Sequence, residues 1–122
     1  MSPPDRQAAA RPEAPPIFRV KAEFFRLLGH PARVRILEIL RDGERAVGEL
    51  QAELGLDSSS TSQQLTAMRR QGVLESRRVG TSVLYRVKDP RIFDLLETAK
   101  QILLAQLDES TALRDDLAGD GA

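Results

Sequence analysis

The stretch of residues 47–87 limits the fold of this chain more than any other part of the sequence. It contains two short amphipathic segments separated by Gly55, and then two alternating segments separated by Gly80 and Thr81. Gly55 can adopt the left-handed conformation that ends a helix, and Asp57 can accept hydrogen bonds from the free N–H groups that begin the next one. The pattern therefore predicts two helices that meet at a tight turn.

The second of these helices has two unlike faces. Its apolar or small residues recur at helical spacing and predict a narrow face that packs on the first helix; they are Thr61, Leu65, Met68 and Gly72. The opposite face carries hydroxyls, an amide and a guanidinium, which can contact base edges and phosphates in a DNA major groove. Its members are Ser59, Ser62, Gln63, Thr66 and Arg70. For this helix taken alone, a solvated polar face is the simpler interpretation.

The two alternating segments predict a β-hairpin beside this helix. Gly80 comes first in a two-residue turn, where a type II′ hairpin needs a positive φ. The apolar members of the alternation are Val79, Val83, Tyr85 and Val87, and the basic members are Arg77, Arg78, Arg86 and Lys88. Two helices across a turn followed by a basic hairpin indicate a winged helix-turn-helix, and the basic wing favours the DNA interpretation of the polar helix face.

Together these segments resemble the ArsR/SmtB-type winged helix-turn-helix transcription regulators of bacteria. The resemblance covers residues 24–107 and rests on FFRLLGHPARVRILEIL at 24–40, ELQAELGL at 49–56, SSSTSQQL at 58–65, RRQGVLESRRVG at 69–80 and the LYRV that follows. It implies a mainly α fold with a small β-hairpin, a double-stranded DNA operator, and a homodimer formed through the first and last helices. Gln63 and Gln64 stand where members often carry paired His, so their operator sequences do not carry over, and Thr61 stands where an apolar residue is usual.

The distribution of charge agrees with a DNA-binding surface in this region. The chain of 122 residues has a formal net charge of zero, but the charge is segregated. Residues 58–88 carry six basic side chains and one acidic side chain, whereas residues 89–122 carry three basic and eight acidic ones. We therefore expect the DNA contacts to come from Ser58, Ser59, Ser62, Gln63, Thr66, Arg69, Arg70, Arg77, Arg78 and Arg86.

The first and last helices have apolar faces wider than one small core requires. Residues 17–28 and 89–107 both show apolar residues at spacings of three and four, and such faces would be exposed on a single copy. We expect them to pack on a second copy of the chain. The predicted dimer interface consists of Phe18, Phe25, Leu28, Ile92, Leu96, Ala99, Leu103 and Leu107.

The only histidine, His30, precedes Pro31 at the start of the predicted helix 31–41. A lone imidazole without Cys or a second His supplies too few ligands for a transition ion, so helix capping is the favoured interpretation. The arginines of this helix, Arg33, Arg35 and Arg41, are expected to face solvent or to pair with Glu38 and Glu44, and a phosphate contact stays open for one of them.

Composition and length bound the remaining alternatives. With 122 residues and 41% hydrophobic content, the chain fits one domain at 17–109, with a disordered N-terminal arm at 1–16 and a disordered acidic tail at 110–122. The absence of Cys excludes disulfides and thiolate chemistry, and no Gly-rich phosphate loop or base beside a nucleophile indicates an enzyme. We expect no metal site, no cofactor, no membrane span and a cytoplasmic location. A winged helix that binds protein instead of DNA, or a regulator controlled by a partner protein, is the alternative.

Overall fold

The computed structural model describes residues 14–120, which form five helices and three short strands. In chain order these are α1 (Ile17–Leu28), α2 (Pro31–Leu40), β1 (Arg45–Ala46), α3 (Val47–Leu54), α4 (Ser58–Arg70), β2 (Leu74–Val79), β3 (Ser82–Val87) and α5 (Arg91–Asp120). The strands form one antiparallel sheet in the order β1-β3-β2. The expected mainly α fold with a small β-hairpin is confirmed, and it has the arrangement of a winged helix-turn-helix.

The core lies where α2, α3, α4 and the sheet meet. Each element contributes the apolar side of an amphipathic pattern, and α2 contributes most because four of its ten residues are buried. The side chains with the least exposure are Ile36, Leu37, Leu50, Thr61, Leu65, Met68 and Leu74. This core fixes the two helices of the predicted motif against α2 and leaves their other faces outside.

The corner between α3 and α4 forms as its residues predict. Gly55 has a φ of 67°, in the left-handed region, and its N–H donates to the carbonyl of Gln51 at 3.0 Å. Asp57 then accepts a hydrogen bond from the N–H of Ser60 at 3.2 Å and caps the start of α4. Gly55 and Asp57 thus set the angle between α3 and α4.

The predicted hairpin is confirmed, together with its turn. Val79 pairs with Ser82, so Gly80 and Thr81 form a two-residue connection, and Gly80 has a φ of 61°. The third strand, β1, is a finding beyond the sequence expectation. It is only two residues long and pairs with Leu84 and Tyr85 of β3, and two residues are too few to show the alternation by which a strand is recognised.

The start of α2 is capped by His30, as expected. The imidazole Nδ1 accepts a hydrogen bond from the N–H of Ala32 at 3.1 Å, and Pro31 occupies the first turn, where its missing N–H costs nothing. The side chain of His30 is therefore used within its own helix.

The last helix is longer than predicted. We expected it to end near Leu107 and to be followed by a disordered tail from Ser110, but α5 continues to Asp120. Leu113 and Leu117 continue the apolar stripe, and no proline interrupts residues 91–120. The acidic residues and the glycine of this segment lower its helix propensity, but they do not prevent a helix from continuing. Of the predicted arm, residues 14–16 have no helix or strand, and residues 1–13, like 121–122, lie outside the described residues.

Gly48, within α3, and Gly55, directly after its last residue, give a matched test of the corner. Gly55→Ala should lower the free energy of unfolding by about 1 kcal/mol, because an L side chain is strained at this positive φ. Gly48→Ala should be neutral or slightly stabilising, because Gly48 is helical and an added Cβ would meet no atom within 4 Å. Urea unfolding of the three proteins measures both changes. Equal stability of Gly55→Ala and the parent would contradict this account of the corner.

Candidate DNA interface

The polar face of α4 lies outside, opposite its buried stripe. Thr61, Leu65 and Met68 have no measurable exposure and pack inward. The predicted contact residues of α4 are exposed except for Thr66, which is half-buried. Five of them lie opposite the buried stripe, namely Ser59, Ser62, Gln63, Thr66 and Arg70. Ser58 and Arg69 are exposed at the edge of the stripe, next to the line of Leu65.

Thr61 stands where members of the resembled family usually carry an apolar residue, and it is completely buried. Its hydroxyl donates to the carbonyl of Asp57 at 2.9 Å, so the polar atom is paired within the helix while its methyl group can pack. A buried hydroxyl with a hydrogen-bond partner avoids most of the desolvation cost. A threonine can therefore replace the apolar residue expected here without disturbing α4.

The N-terminal end of α4 carries a carboxylate whose charge is stabilised. The hydroxyl and then the backbone N–H of Ser60 hydrogen-bond to Asp57 and hold the pKa of that carboxyl below its usual value of 3.8. The same capping bond satisfies one of the free N–H groups at the start of the helix. The end of the helix next to Ser58 and Ser59 is thus held in one conformation.

The wing divides its arginines between two faces. In the register of β2 and β3, Arg78 lies opposite Val83, whereas Arg77 and Arg86 lie on the other face of the hairpin. Arg77 donates from Nε to Glu44 at 3.0 Å and forms a second bond from Nη2. The sequence predicted these arginines as one basic group, and only the strand register separates them.

Arg77 and Arg86, which share one face of the hairpin, both pair with carboxylates, and this reduces the charge that they add to the wing. The Arg77 guanidinium lowers the pKa of Glu44, whose carboxylate in turn raises the pKa of Arg77. Arg86 donates from Nε to Glu75 at 2.7 Å. Among the described residues, Arg69, Arg70 and Arg78 form no ion pair within 4.0 Å. These three are the arginines of the site whose charge no carboxylate of the described chain offsets at short range.

The predicted dimer residues fall into two groups. Phe18, Phe25, Leu103 and Leu107 are 57–70% exposed, and Ala99 is exposed as well. Leu28 and Ile92 are 7% exposed and belong to the core, and Leu96 packs against that core. Leu28 and Ile92 therefore offer little surface to a second copy, because helical spacing gives a face but does not say which part of that face the chain's own core covers.

A contact that the sequence did not indicate joins α2 to α4. Arg33 donates from Nε to Oε1 of Gln64 at 2.8 Å and from Nη1 to the carbonyl of Leu27 at 3.4 Å. Arg33 was expected to face solvent or to pair with a glutamate. The available signal was the spacing of Gln64, which is three residues after Thr61 and four before Met68, both of them buried, and is therefore close to the core side of its helix.

The described part of the chain has neither a metal-binding cluster nor a membrane-spanning helix. Residues 14–120 contain no group of three or more His, Cys, Asp or Glu side chains arranged to hold a metal ion. Within the same residues, no helix combines the length and the apolarity that a membrane crossing needs.

Comparisons with known proteins agree with this geometry. The family model for bacterial regulatory proteins of the arsR family matches residues 30–76, from His30 into β2. The HTH-type transcriptional regulator Rv0081 of Mycobacterium tuberculosis is 44% identical over 111 residues, which are 90% of this chain and 97% of the relative. Its crystal structure matches with a TM-score of 0.74 and covers 80% of this chain and 99% of that one.

The chain belongs to the arsR family.

Two further matches extend the comparison. A biofilm growth-associated repressor of Xylella fastidiosa is 33% identical over 85 residues, which are 70% of this chain and 75% of the repressor. A homodimeric winged helix-turn-helix DNA-binding domain of Mycobacterium bovis matches with a TM-score of 0.65 and 30% identity, covering 84% of this chain and 91% of that domain. The arsR-family protein described here is a DNA-binding transcription regulator, and the alternative of a module that binds only protein is set aside.

The cap of α4 in this arsR-family protein predicts a pH-dependent contribution to stability. Because the pKa of Asp57 in the folded protein is below 3.8, its carboxylate stabilises the fold above that pH, and this contribution is lost as the pH falls through the folded-state pKa. Asp57→Ala should therefore be less stable than the parent at pH 7, and the difference should shrink below pH 3.8. Thermal unfolding from pH 7 to pH 2.5 measures it, with the exposed neighbour Ser58→Ala as control. A difference that stays constant over this range would contradict the assignment.

Proposed function

We propose that this arsR-family protein acts as a homodimer that binds an imperfect DNA palindrome through two copies of α4. The observation that carries the proposal is the separation of α4 into a fully buried stripe and a polar outer face beside a basic wing. Hydroxyl, amide and guanidinium groups on an exposed helix face suit base edges and phosphates in a major groove. Binding as a dimer would place the two helices on half-sites related by the two-fold axis.

Support for the dimer comes from the exposed apolar surface of α1 and α5. In α1 only Leu27 and Leu28 are buried, so most of the apolar side of this helix has no partner within residues 14–120. In α5 the stripe continues past the core through Leu103 and Leu107. Exposed apolar surface of this extent is typical of an interface between protein chains. The similar domain from Mycobacterium bovis is homodimeric, which supports the same assembly here.

Within each half-site, base recognition and phosphate binding fall to different residues. Gln63 is exposed at the centre of the polar face, and its amide can donate to and accept from adenine. Ser59, Ser62 and Thr66 offer hydroxyls, which select less strongly between bases. Arg78 has no ion-pair partner among the described residues and is proposed to bind a phosphate at full charge. Arg77 and Arg86 would have to exchange Glu44 and Glu75 for phosphate, so they should contribute less.

The proposal also bears on the expectations about catalysis, metal ions, cofactors and location. Binding to an operator assigns no catalytic step and needs no metal ion or cofactor, and a bacterial regulator that binds DNA acts in the cytoplasm. Control by a co-regulating protein would use surface that is outside α4 and the wing.

The dimer can be tested at α5. Leu103→Asp should convert the homodimer to a monomer, because a carboxylate without a partner would be buried at the interface. Leu103 is 59% exposed in the single chain, so the substitution leaves the core intact. Val79→Asp, which changes an exposed apolar residue at the end of β2, should stay dimeric and serves as the control. Sedimentation velocity gives the mass of each; a parent that sediments as a monomer would contradict the proposal.

Binding sites selected from random duplexes at fixed salt separate base recognition from phosphate binding. Gln63→Ala should lower discrimination at one base position by about 1–3 kcal/mol and leave the affinity for random duplex unchanged. Arg78→Ala should weaken binding to all duplexes alike and reduce the slope of log affinity against log salt by about one unit. Arg86→Ala should have a smaller effect because Glu75 already offsets its charge.

The control for these variants is Lys100→Ala, which removes an exposed positive charge from α5, away from α4 and the wing. Fluorescence anisotropy at several salt concentrations gives affinities and slopes for all the variants. Unchanged affinity of both Gln63→Ala and Arg78→Ala for the selected duplex at low salt would overturn the assignment of this helix and wing to DNA.

A further inference from the structure

We propose that Arg33 is a positioning residue for DNA recognition, which fixes the rotation of α4 about its axis by joining it to α2 and to the end of α1. This inference rests on the proposed function, because it concerns how the polar face of α4 is aimed at the groove. It assigns to Arg33 an action through Gln64 and not a contact with DNA. The geometry of three elements carries it.

The first step is the position of Gln64 on its helix. Residues that follow each other on a helix are separated by about 100°, so Gln63 and Gln64 point in different directions. Gln63 is exposed on the polar face, whereas Gln64 is half-buried beside Leu65, which is completely buried. Ser60 and Ala67, four residues before and three after Gln64, are half-buried as well. This side of α4 therefore faces the protein, and the amide of Gln64 is placed to make an internal contact.

The second step is the chemistry of the contact. Arg33 lies on α2, 31 residues from Gln64 in the sequence, and its Nε donates to the Gln64 Oε1 at 2.8 Å. A guanidinium has several N–H donors in a rigid planar arrangement, so one side chain can hold two acceptors at a fixed angle to each other. The second acceptor is the carbonyl of Leu27, in the last turn of α1, at 3.4 Å from Nη1.

The third step concerns the rotation of α4 about its axis, which apolar packing alone does not fix. Leu65 and Met68 hold α4 against the core, but apolar contacts are not directional and tolerate a small rotation of the helix. A hydrogen bond weakens steeply as its angle departs from linear, so the bond to Gln64 opposes such a rotation. A rotation of α4 would move Gln63 and Thr66 relative to the base edges. Arg33 thus affects selectivity for sequence while remaining outside the groove.

The link to Leu27 gives this arrangement a second consequence. Leu27 is buried at the end of α1, whose other apolar residues form part of the proposed dimer surface. Arg33 therefore joins the recognition helix of one protomer to the helix that contacts the partner. The position of α1 in the dimer and the orientation of α4 are held by the same side chain.

Three variants test the inference. Arg33→Lys keeps the charge, but one ammonium group cannot reproduce the planar two-acceptor geometry. Gln64→Met keeps the length of an unbranched side chain and removes the acceptor. Arg33→Met removes the charge and keeps an unbranched stem. The control is Arg35→Lys, at a neighbouring arginine of α2 that pairs with Glu38 on its own helix. Circular dichroism establishes that each protein is folded before binding is measured.

Affinity for the selected duplex and for a random duplex, each at several salt concentrations, is the decisive measurement. Arg33→Lys and Gln64→Met should each bind the selected duplex roughly tenfold more weakly, in line with loss of a hydrogen bond to a charged group. Random-duplex affinity and the salt slope should stay at the parent values, also in Arg33→Met. The double variant Arg33→Lys/Gln64→Met should be no weaker than either single one, because both remove the same contact.

Other results would overturn the inference in recognisable ways. A loss shared by both duplexes, with a salt slope about one unit smaller in Arg33→Met, would make Arg33 a phosphate contact. Additive losses in the double variant, or folded variants that bind like the parent, would show that the Arg33–Gln64 contact does not position α4. A parent protein that binds no duplex would overturn the proposed function and this inference with it.

Discussion

The structure depends on the complete burial of one stripe of α4. Thr61, Leu65 and Met68 are inaccessible to solvent, and α4 packs through them on α2, α3 and β2. Because a helix has only one such side, this burial determines which residues remain outside. Gln63 and its polar neighbours are exposed because the opposite side of α4 is buried against the core. The function of the surface therefore follows from the packing of the core beneath it.

Most of the fold could be predicted because its signals are local. Gly55 and Asp57 define the corner, and Gly80 defines the hairpin, through conformations and hydrogen bonds that involve only adjacent residues. Local signals also explain why the end of α5 differs from the prediction, since acidic residues and two glycines after Ser110 are typical of a disordered tail. Whether an acidic segment continues as a helix depends on the stripe that runs through it, to which Leu113 and Leu117 belong.

The candidate site could be predicted only as a set of residues. Helical spacing placed Gln63 and Ser59 on one face, but the pairs Arg77–Glu44 and Arg33–Gln64 join residues 33 and 31 positions apart. Helix and strand spacing cannot predict contacts between residues so far apart in the sequence. These contacts depend on the register of the sheet and on the packing of α2. The charge of the wing is an example: the sequence predicts one basic group on the hairpin, whereas Arg86 pairs with Glu75 and Arg78 has no carboxylate partner among the described residues.

The central claim is that two copies of α4, held at a fixed separation, bind two half-sites together. The spacing of the half-sites tests it most directly. Insertion of about five base pairs between the half-sites of a selected operator turns one of them by roughly half a helical turn. We predict that affinity then falls to that of a single half-site, because in the proposed dimer α1 and α5 would hold the two recognition helices at a fixed separation. Affinity that is unchanged by the insertion would contradict the account.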